Sequence, residues 1–266
     1  MIKLIATDMD GTLLNSKKEL PEKLPKMIQA LKKRNILFVP VSGRSYACLY
    51  DRFKPFSGNM SFVCLNGNLV MQGGEVLYNS ELSQEELRKL LGVLRTIPGL
   101  HISLCGIRST YYEDRNPTFE SQVKQFFTDV TYVDRFEDAI EREPICKISC
   151  FDDRGVQKNG LPRLRYLAEE YYLVDAGDNW LDIMAKDRDK GTGMRALTQC
   201  LKIGMDEVMV FGDFLNDIPM MRITKNSWAM KNGHEDVAAI SGHVTEWTND
   251  ENGVIRTIEK ELGISL

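Results

Sequence analysis

Residues 1–15 read MIKLIATDMDGTLLN, and the reading of this stretch decides the rest. Ile2–Thr7 is short, apolar and β-branched, which predicts a buried strand. Asp8-Met9-Asp10-Gly11-Thr12 then sets two carboxylates one residue apart at the strand's end. Charges so close raise each other's pKa unless a cation lies between them. An Asp/Gly-rich segment after a strand can also be a plain turn, so the meaning depends on what the fold brings beside it.

The following chain repeats the opening. Leu24, Met27, Ile28 and Leu31 recur at helical spacing, ILFVPV (36–41) is a second strand, a helix is expected near 45–53, and MSFVCL (60–65) is a third strand. Strand and helix in alternation predict a parallel sheet with right-handed crossovers. The pattern then changes. Ser83-Gln84-Glu85-Glu86 is a capping box that opens a helix with Leu87, Leu90, Leu91 and Leu94 on one face. Strands are expected at 101–105, 109–113, 145–151, 171–175 and 179–185, with helices near 117–127 and 160–169. Adjacent strands without an intervening helix predict a mostly antiparallel sheet covered on one side. From about 187 the first pattern resumes: helix 191–201, strand EVMVF (207–211), helix 217–223, strand SWAM (227–230), helix 233–240 and a terminal helix with Val254, Ile255, Ile258 and Leu262. The expected fold class is α/β, with a core domain (1–82 and 187–266) interrupted by an α+β domain (83–186).

Composition narrows the function classes. The chain has 266 residues, 43% of them hydrophobic, and a net charge of −4 with Lys and Arg dispersed. Dispersed basic residues argue against nucleic acid or an acidic membrane surface as partner. No apolar run approaches the roughly 18 residues of a spanning helix, and no signal-peptide pattern opens the chain. A cytoplasmic protein without an obligate protein partner is expected. The six cysteines form no Cys-x-x-Cys pair and read as buried thiols rather than a zinc site. His101, His234 and His243 stand isolated.

Ligands of open parallel sheets bind beyond the carboxyl ends of the strands. After the first strand stand Asp8 and Asp10; after the second, Ser42-Gly43-Arg44; after the third, Asn66-Gly67; after the fourth, Gly212-Asp213 with Asn216-Asp217; after the fifth, Lys231-Asn232. Any one of these is an ordinary turn. Together they gather Asp8, Asp10, Asp213 and Asp217 on one edge, an all-oxygen set suited to Mg²⁺. Lys190 opens the helix in DRDKGTGMRAL, where free N–H groups already favour an anion. A cation, a Lys, a hydroxyl and glycine backbones point to a phosphoryl guest.

DMDGT, Ser42 at a strand end, Lys190 and GDFLND resemble, in order, the four motifs of the haloacid dehalogenase superfamily of phosphohydrolases. The insertion between the second and third motifs resembles a type IIB cap. Asn66-Gly67 and AMKNG (229–233) are similar to the Cof-type sugar-phosphate phosphatases. The resemblance implies a Rossmann-like core and an Mg²⁺-dependent phosphohydrolase acting on small phosphorylated metabolites. It implies that Asp8 is the nucleophile, forming an aspartyl-phosphate, and Asp10 the general acid and base. Asp8, the Asp10 carbonyl and Asp213 would hold the metal, with Asp217 behind them. Ser42, the Met9 and Gly43 N–H groups, Lys190 and Asn216 would surround the phosphoryl oxygens, and Arg44 and Asn66 would stand toward the substrate. Ser42 replaces a commoner Thr and keeps the hydroxyl; Met9 replaces a commoner Leu; Phe214 stands where relatives often carry a small residue.

Three rival classes share these residues. A sensor resembling a receiver domain also gathers acidic residues, a hydroxyl and a Lys, but it is far shorter and places its phosphoacceptor after a later strand, whereas Asp8 follows the first. A phosphotransferase or mutase would pass the same phosphoryl group to a sugar hydroxyl. A non-catalytic relative would only bind a phosphorylated ligand. In the insertion, His101, Arg108, Arg115, Asp178 and Trp180 are candidates for substrate contact, each more simply read as surface or packing.

Overall fold

The computed structural model describes residues 1–56, 58, 60–177 and 179–266. In chain order the elements are β1 (Leu4–Asp8), α1 (Leu24–Lys33), β2 (Leu37–Val41), α2 (Tyr46–Phe53), β3 (Ser61–Cys64), β4 (Leu69–Gln72) and β5 (Glu75–Asn79). Next come α3 (Gln84–Leu94), β6 (Leu100–Gly106), β7 (Thr110–Tyr112), α4 (Pro117–Phe126), β8 (Val130–Tyr132), α5 (Phe136–Arg142), β9 (Ile145–Asp152), α6 (Gly160–Leu164), β10 (Tyr171–Gly177) and β11 (Trp180–Ala185). The chain closes with α7 (Lys190–Leu201), β12 (Val208–Gly212), α8 (Ile218–Met221), β13 (Ser227–Ala229), α9 (Glu235–Ile240), β14 (His243–Val244) and α10 (Gly253–Leu262).

Two units emerge. The first comprises Met1–Ser42, Phe53–Tyr78 and Asp189–Leu266; the second comprises Gly43–Arg52 and Asn79–Arg188. The segment Gly43–Arg52, placed within the first domain on sequence, groups with the second unit.

The first unit is built on a sheet ordered β14-β13-β12-β1-β2-β3-β4-β5. Its strands from β14 to β3 run parallel, and β4 turns back antiparallel on β3. All five residues of β1 are buried, as both faces of a parallel strand must be when helices cover them. Leu4, Ala6, Val39, Val41, Val63, Val208 and Val210 pack on one face against Met194, Leu197, Met220 and Met221. The β4–β5 hairpin has no counterpart in the sequence reading. Its signal is Gly73-Gly74 between two apolar runs, and both glycines have positive φ (58° and 89°), as a two-residue hairpin turn demands.

The second unit is a six-stranded sheet ordered β10-β11-β9-β6-β7-β8. Its pairs are antiparallel apart from β7 with β8, which are joined by the crossover through α4. Ile102, Leu104, Ile148, Cys150, Leu181 and Ile183 alternate onto one face and meet Leu87, Leu90, Leu91 and Leu94 of α3. The Ser83 capping box forms as expected: Ser83 Oγ accepts from the Glu86 N–H and Glu86 Oε2 from the Ser83 N–H. The structure adds β8 and α5, elements of three and seven residues whose patterns span too few repeats to show in the sequence. The helix expected over 160–169 is α6 followed by a 3₁₀ turn over Arg165–Glu169. Gly160 and Pro162, both poor helix formers, occupy its first turn. Among the described residues no helix is long and apolar enough to cross a membrane.

Candidate active site

The first unit's sheet places the motif residues by register. Asp8 is paired with Val41 across β1 and β2, so Ser42 lies one residue beyond that partner. Thr7 pairs with Phe211, so Gly212 and Asp213 follow beside Asp8 on the other flank. Parallel strands all deliver their carboxyl ends to the same edge, which brings residues far apart in sequence together.

At this edge Lys190, almost fully buried, donates to Asp8 Oδ1 at 2.5 Å and to Asp217 Oδ1 at 2.6 Å. Asp217 Oδ2 accepts the backbone N–H groups of Asp213 (2.9 Å) and Phe214 (3.1 Å), which tethers the turn after β12. Asp213 Oδ1 accepts from the Thr12 hydroxyl at 2.6 Å. Carboxylate oxygens of Asp8, Asp213 and Asp217 lie within 4.8 Å of one another.

The electrostatics follow. Burial, reinforced by the Asp217 charge and resisted by Lys190, pushes the Asp8 carboxyl well above its usual range. Burial and Asp217 push Asp213 to about 6, against the Thr12 hydrogen bond. Burial works against the Lys190 ammonium, but Asp217 and Asp8 more than offset it and hold its pKa above the ordinary lysine value. One ammonium thus stands against three carboxyls, those of Asp8 and Asp217 buried and that of Asp213 half-buried. The remaining deficit, with oxygen donors alone, fits a hard divalent cation.

Two glycines admit this crowding. A Cβ on Gly11, which has a φ of 82°, would stand 2.3 Å from Asp213 Oδ2. One on Gly67 (φ 92°) would stand 2.0 Å from the Asp189 carbonyl oxygen, at the residue whose side chain caps α7. The turn before Gly67 is also left-handed, at Leu65 and Asn66. Left-handed backbone in non-glycine residues clusters at functional sites. It leaves Asn66 buried, with its Oδ1 3.4 Å from Asn216 Nδ2.

The remaining motif residues fall as follows. Met9 is fully buried, and its carbonyl accepts the Leu14 N–H at 2.8 Å. The Asp10 side chain is 35% exposed and lies 2.9 Å from Lys18 Nζ, and its charge helps to raise Asp213. Ser42 is buried and donates its N–H to Val63. Gly43 and Arg44 are half-buried and belong to the second unit. Phe214 is 48% exposed and meets the His234 ring edge-on. The structure adds two contacts: Thr12 on Asp213, and Asn232 on Gly11, its Nδ2 donating to the Gly11 carbonyl at 2.8 Å. Both sit inside motifs already noticed, DMDGT and AMKNG, and those were the available signal.

In the second unit, His101 pairs with Asp114 and stacks on Phe119. Trp180 is buried among Phe126, Phe127 and Phe151. Arg115 lies over the Tyr132 ring, Arg108 is exposed, and Asp178 lies outside the described residues.

A sequence model of the haloacid dehalogenase-like hydrolases matches residues 5–258. The 5-amino-6-(5-phospho-D-ribitylamino)uracil phosphatase YbjI of Escherichia coli (strain K12) is 30% identical over 271 residues, covering 98% of this chain and 96% of that protein. Phosphatase YwpJ of Bacillus subtilis (strain 168) is 26% identical over 289 residues, covering 98% and 100%. Among solved structures, SMU.1108c from Streptococcus mutans UA159 superposes with a TM-score of 0.86 at 26% identity, covering 99% of this chain and 100% of that one. The fold is also that of BT4131, described as a subclass IIB sugar phosphatase, with a TM-score of 0.82 at 23% identity and coverage of 99% and 100%.

Proposed function

The chain belongs to the haloacid dehalogenase-like hydrolases and is a phosphatase of their Cof-type; from that premise we propose that it is of the IIB-capped class and hydrolyses small phosphomonoesters, Mg²⁺-dependently, through an aspartyl-phosphate on Asp8. The observation that carries the reading is the cluster of Asp8, Asp213 and Asp217, with buried Lys190 bonded to Asp8 and Asp217. Such a set carries excess negative charge that a divalent cation would offset, leaving Lys190 and the metal to receive a phosphoryl dianion. A structural ion-pair cluster would need no third carboxylate.

In the proposed chemistry an Asp8 oxygen attacks phosphorus and the ester P–O bond breaks. Asp10, its side chain 35% exposed, gives its proton to the departing oxygen. In the second step Asp10 takes a proton from water as that water attacks phosphorus, which releases Asp8 and inorganic phosphate. Lys190, the Ser42 hydroxyl, Asn216 and the N–H groups of Met9 and Gly43 would hold the phosphoryl oxygens, since phosphoryl transfer depends chiefly on positioning and charge stabilisation. Asp8, the Asp10 carbonyl and Asp213 would hold Mg²⁺, with Asp217 orienting Lys190 behind them. When bound, the metal would neutralise charge shared by nucleophile and phosphate. Arg44 and Asn66 would face the substrate.

The names of the relatives support a phosphorylated polyol or sugar as substrate class. A panel of sugar phosphates, with an aryl phosphate as generic substrate, tests this. Phosphate release is expected with Mg²⁺, its loss with EDTA, and its return on adding Mg²⁺. A chiral, isotopically labelled phosphate ester should keep its configuration at phosphorus after transfer to an acceptor alcohol. Inversion would mean direct attack by solvent or acceptor and overturn the covalent step.

The raised pKa of Asp213, about 6, has a consequence for stability. A carboxyl raised on folding binds its proton more tightly in the native state. Metal-free stability from this group is therefore full below the unfolded value near 3.8 and declines as pH climbs through 6. Mg²⁺ competes with that proton. The Mg²⁺-induced rise in melting temperature is expected to be small at pH 5 and to grow through pH 7, as read by calorimetry. A shift independent of pH would remove Asp213 from the metal set.

A further inference from the structure

The loop that follows DMDGT carries a contact that the proposed chemistry does not use. Lys18 Nζ lies 2.9 Å from Asp10 Oδ1. The lysine side chain is more than half exposed, and an exposed ion pair adds little to stability. The loop is nevertheless built to hold it. Lys18 has a φ of 63°, left-handed backbone that a non-glycine residue keeps only where its surroundings fix it. Asn15 does the fixing. Its Oδ1 accepts the N–H groups of Lys17 (3.0 Å) and Glu19 (2.9 Å), its Nδ2 donates to Glu19 Oε2 (3.0 Å), and its carbonyl accepts the Lys18 N–H (2.8 Å).

Residues from late in the chain anchor the same segment. Asn232 donates to the Gly11 carbonyl at 2.8 Å, and Asn249 donates to the Leu14 carbonyl at 2.9 Å. Asp250 takes Ser16 with both oxygens, accepting its N–H at 2.7 Å and its hydroxyl at 2.6 Å. The Asn249 N–H donates in turn to Asn232 Oδ1 at 2.9 Å, so the anchors are themselves joined. All of these residues belong to the first unit. A lysine ammonium on its flexible four-carbon stem ranges widely unless its backbone is placed. These bonds place it.

What the lysine holds is the Asp10 carboxyl. A proton donor works only within hydrogen-bond reach of the departing oxygen. A partly exposed aspartate has several rotamers open to it, and an ammonium at 2.9 Å selects among them. We propose that Lys18 is a positioning residue for proton transfer: its ammonium, delivered by the anchored loop, holds the Asp10 carboxyl in the orientation from which it protonates the leaving oxygen. This rests on the phosphatase reading, with Asp10 as the acid. The proton passes from Asp10 to the ester oxygen as the P–O bond breaks, and the ammonium keeps all of its own. The carboxylate left behind then gains from the facing positive charge, so the contact is stronger in the transition state than before it.

The test measures kcat/KM with Mg²⁺ on a hexose phosphate, whose alkoxide leaves poorly without a proton, and on a nitrophenyl phosphate, whose phenolate leaves unaided. Lys18→Met, Lys18→Arg, Asp10→Asn and the double variant Lys18→Met/Asp10→Asn are compared with wild type. Lys18→Met is expected to lower kcat/KM about 10-fold on the hexose phosphate and less than about 3-fold on the nitrophenyl ester, a part of the roughly 10²- to 10⁴-fold that a general acid contributes. Lys18→Arg should recover most of that loss, and Lys18→Met should cost nothing more once Asp10 is Asn. The melting temperature of Lys18→Met should equal that of wild type, since the side chain is largely in solvent. Equal losses on the two esters, no loss on either, or an additive loss in the double variant would overturn the role of Lys18. A selective loss in Asp10→Asn with none in Lys18→Met would overturn it while leaving the acid in place. Asp10→Asn without any loss selective for the hexose phosphate would instead refute Asp10 as the acid, and the role of Lys18 with it.

Discussion

Asp8→Asn is expected to abolish phosphate release, lowering kcat by about 10⁴-fold or more, the scale on which loss of a covalent nucleophile is felt. The amide keeps the size and most hydrogen bonds of the carboxyl but cannot form the acyl phosphate. The fold should survive. Asp8 is the carboxyl that burial, Asp217 and Asp213 push well above its usual range. Neutralising it removes repulsion while the Lys190–Asp217 bond at 2.6 Å persists. Metal-free Asp8→Asn should therefore melt at or above the wild-type temperature, with inorganic phosphate still bound in the presence of Mg²⁺. Activity within 10-fold of wild type would place the nucleophile elsewhere. A collapse in melting temperature would mean that the Asp8–Lys190 bond stabilises more than the repulsion costs.

Lys190→Ala should damage both folding and chemistry. Its ammonium separates Asp8 from Asp217, and its removal leaves buried carboxylates with no counter-charge, a loss of about 3–5 kcal/mol by analogy with other broken buried pairs. The sign with pH follows. Without the ammonium, the carboxyls bind protons more tightly in the folded state, so the penalty is smallest near pH 5 and grows toward pH 8. Urea unfolding at the two pH values reads this directly. Mg²⁺ should recover part of the stability by supplying positive charge to the same oxygens. Turnover should still fall, with both a higher KM and a lower kcat, because a metal cannot replace the hydrogen bonds that we propose Lys190 makes to phosphoryl oxygens. A variant with unchanged rate would take Lys190 out of the site; a pH-independent stability loss would mean that the vacated volume, rather than uncompensated charge, sets the cost.

These expectations depend on contacts of unequal legibility. Strand β1, the capping box at Ser83, the helix beginning at Lys190 and the interrupted α/β order were readable because each is encoded by neighbours a few residues apart. Apolar spacing and cap residues act through the local backbone. That Asp8, Ser42 and Asp213 share an edge was also legible, since parallel strands deliver their carboxyl ends to the same side whatever their register. The β4–β5 hairpin carried a usable signal in Gly73-Gly74. The short β8 and α5 had too few residues for any period to show.

What the sequence by itself determined is the fold class, the order of the strands' functional ends and the chemical types gathered there. Tertiary structure alone decided who touches whom: Lys190 between Asp8 and Asp217, Thr12 on Asp213, the left-handed Asn66 beside Asn216, and Lys18 on the Asp10 carboxyl. The reason is physical. Local pattern sets backbone conformation, whereas these contacts join residues up to 201 positions apart and exist only once packing has fixed strand register and excluded water. The same burial that creates them moves the pKa values of Asp8, Asp213 and Lys190.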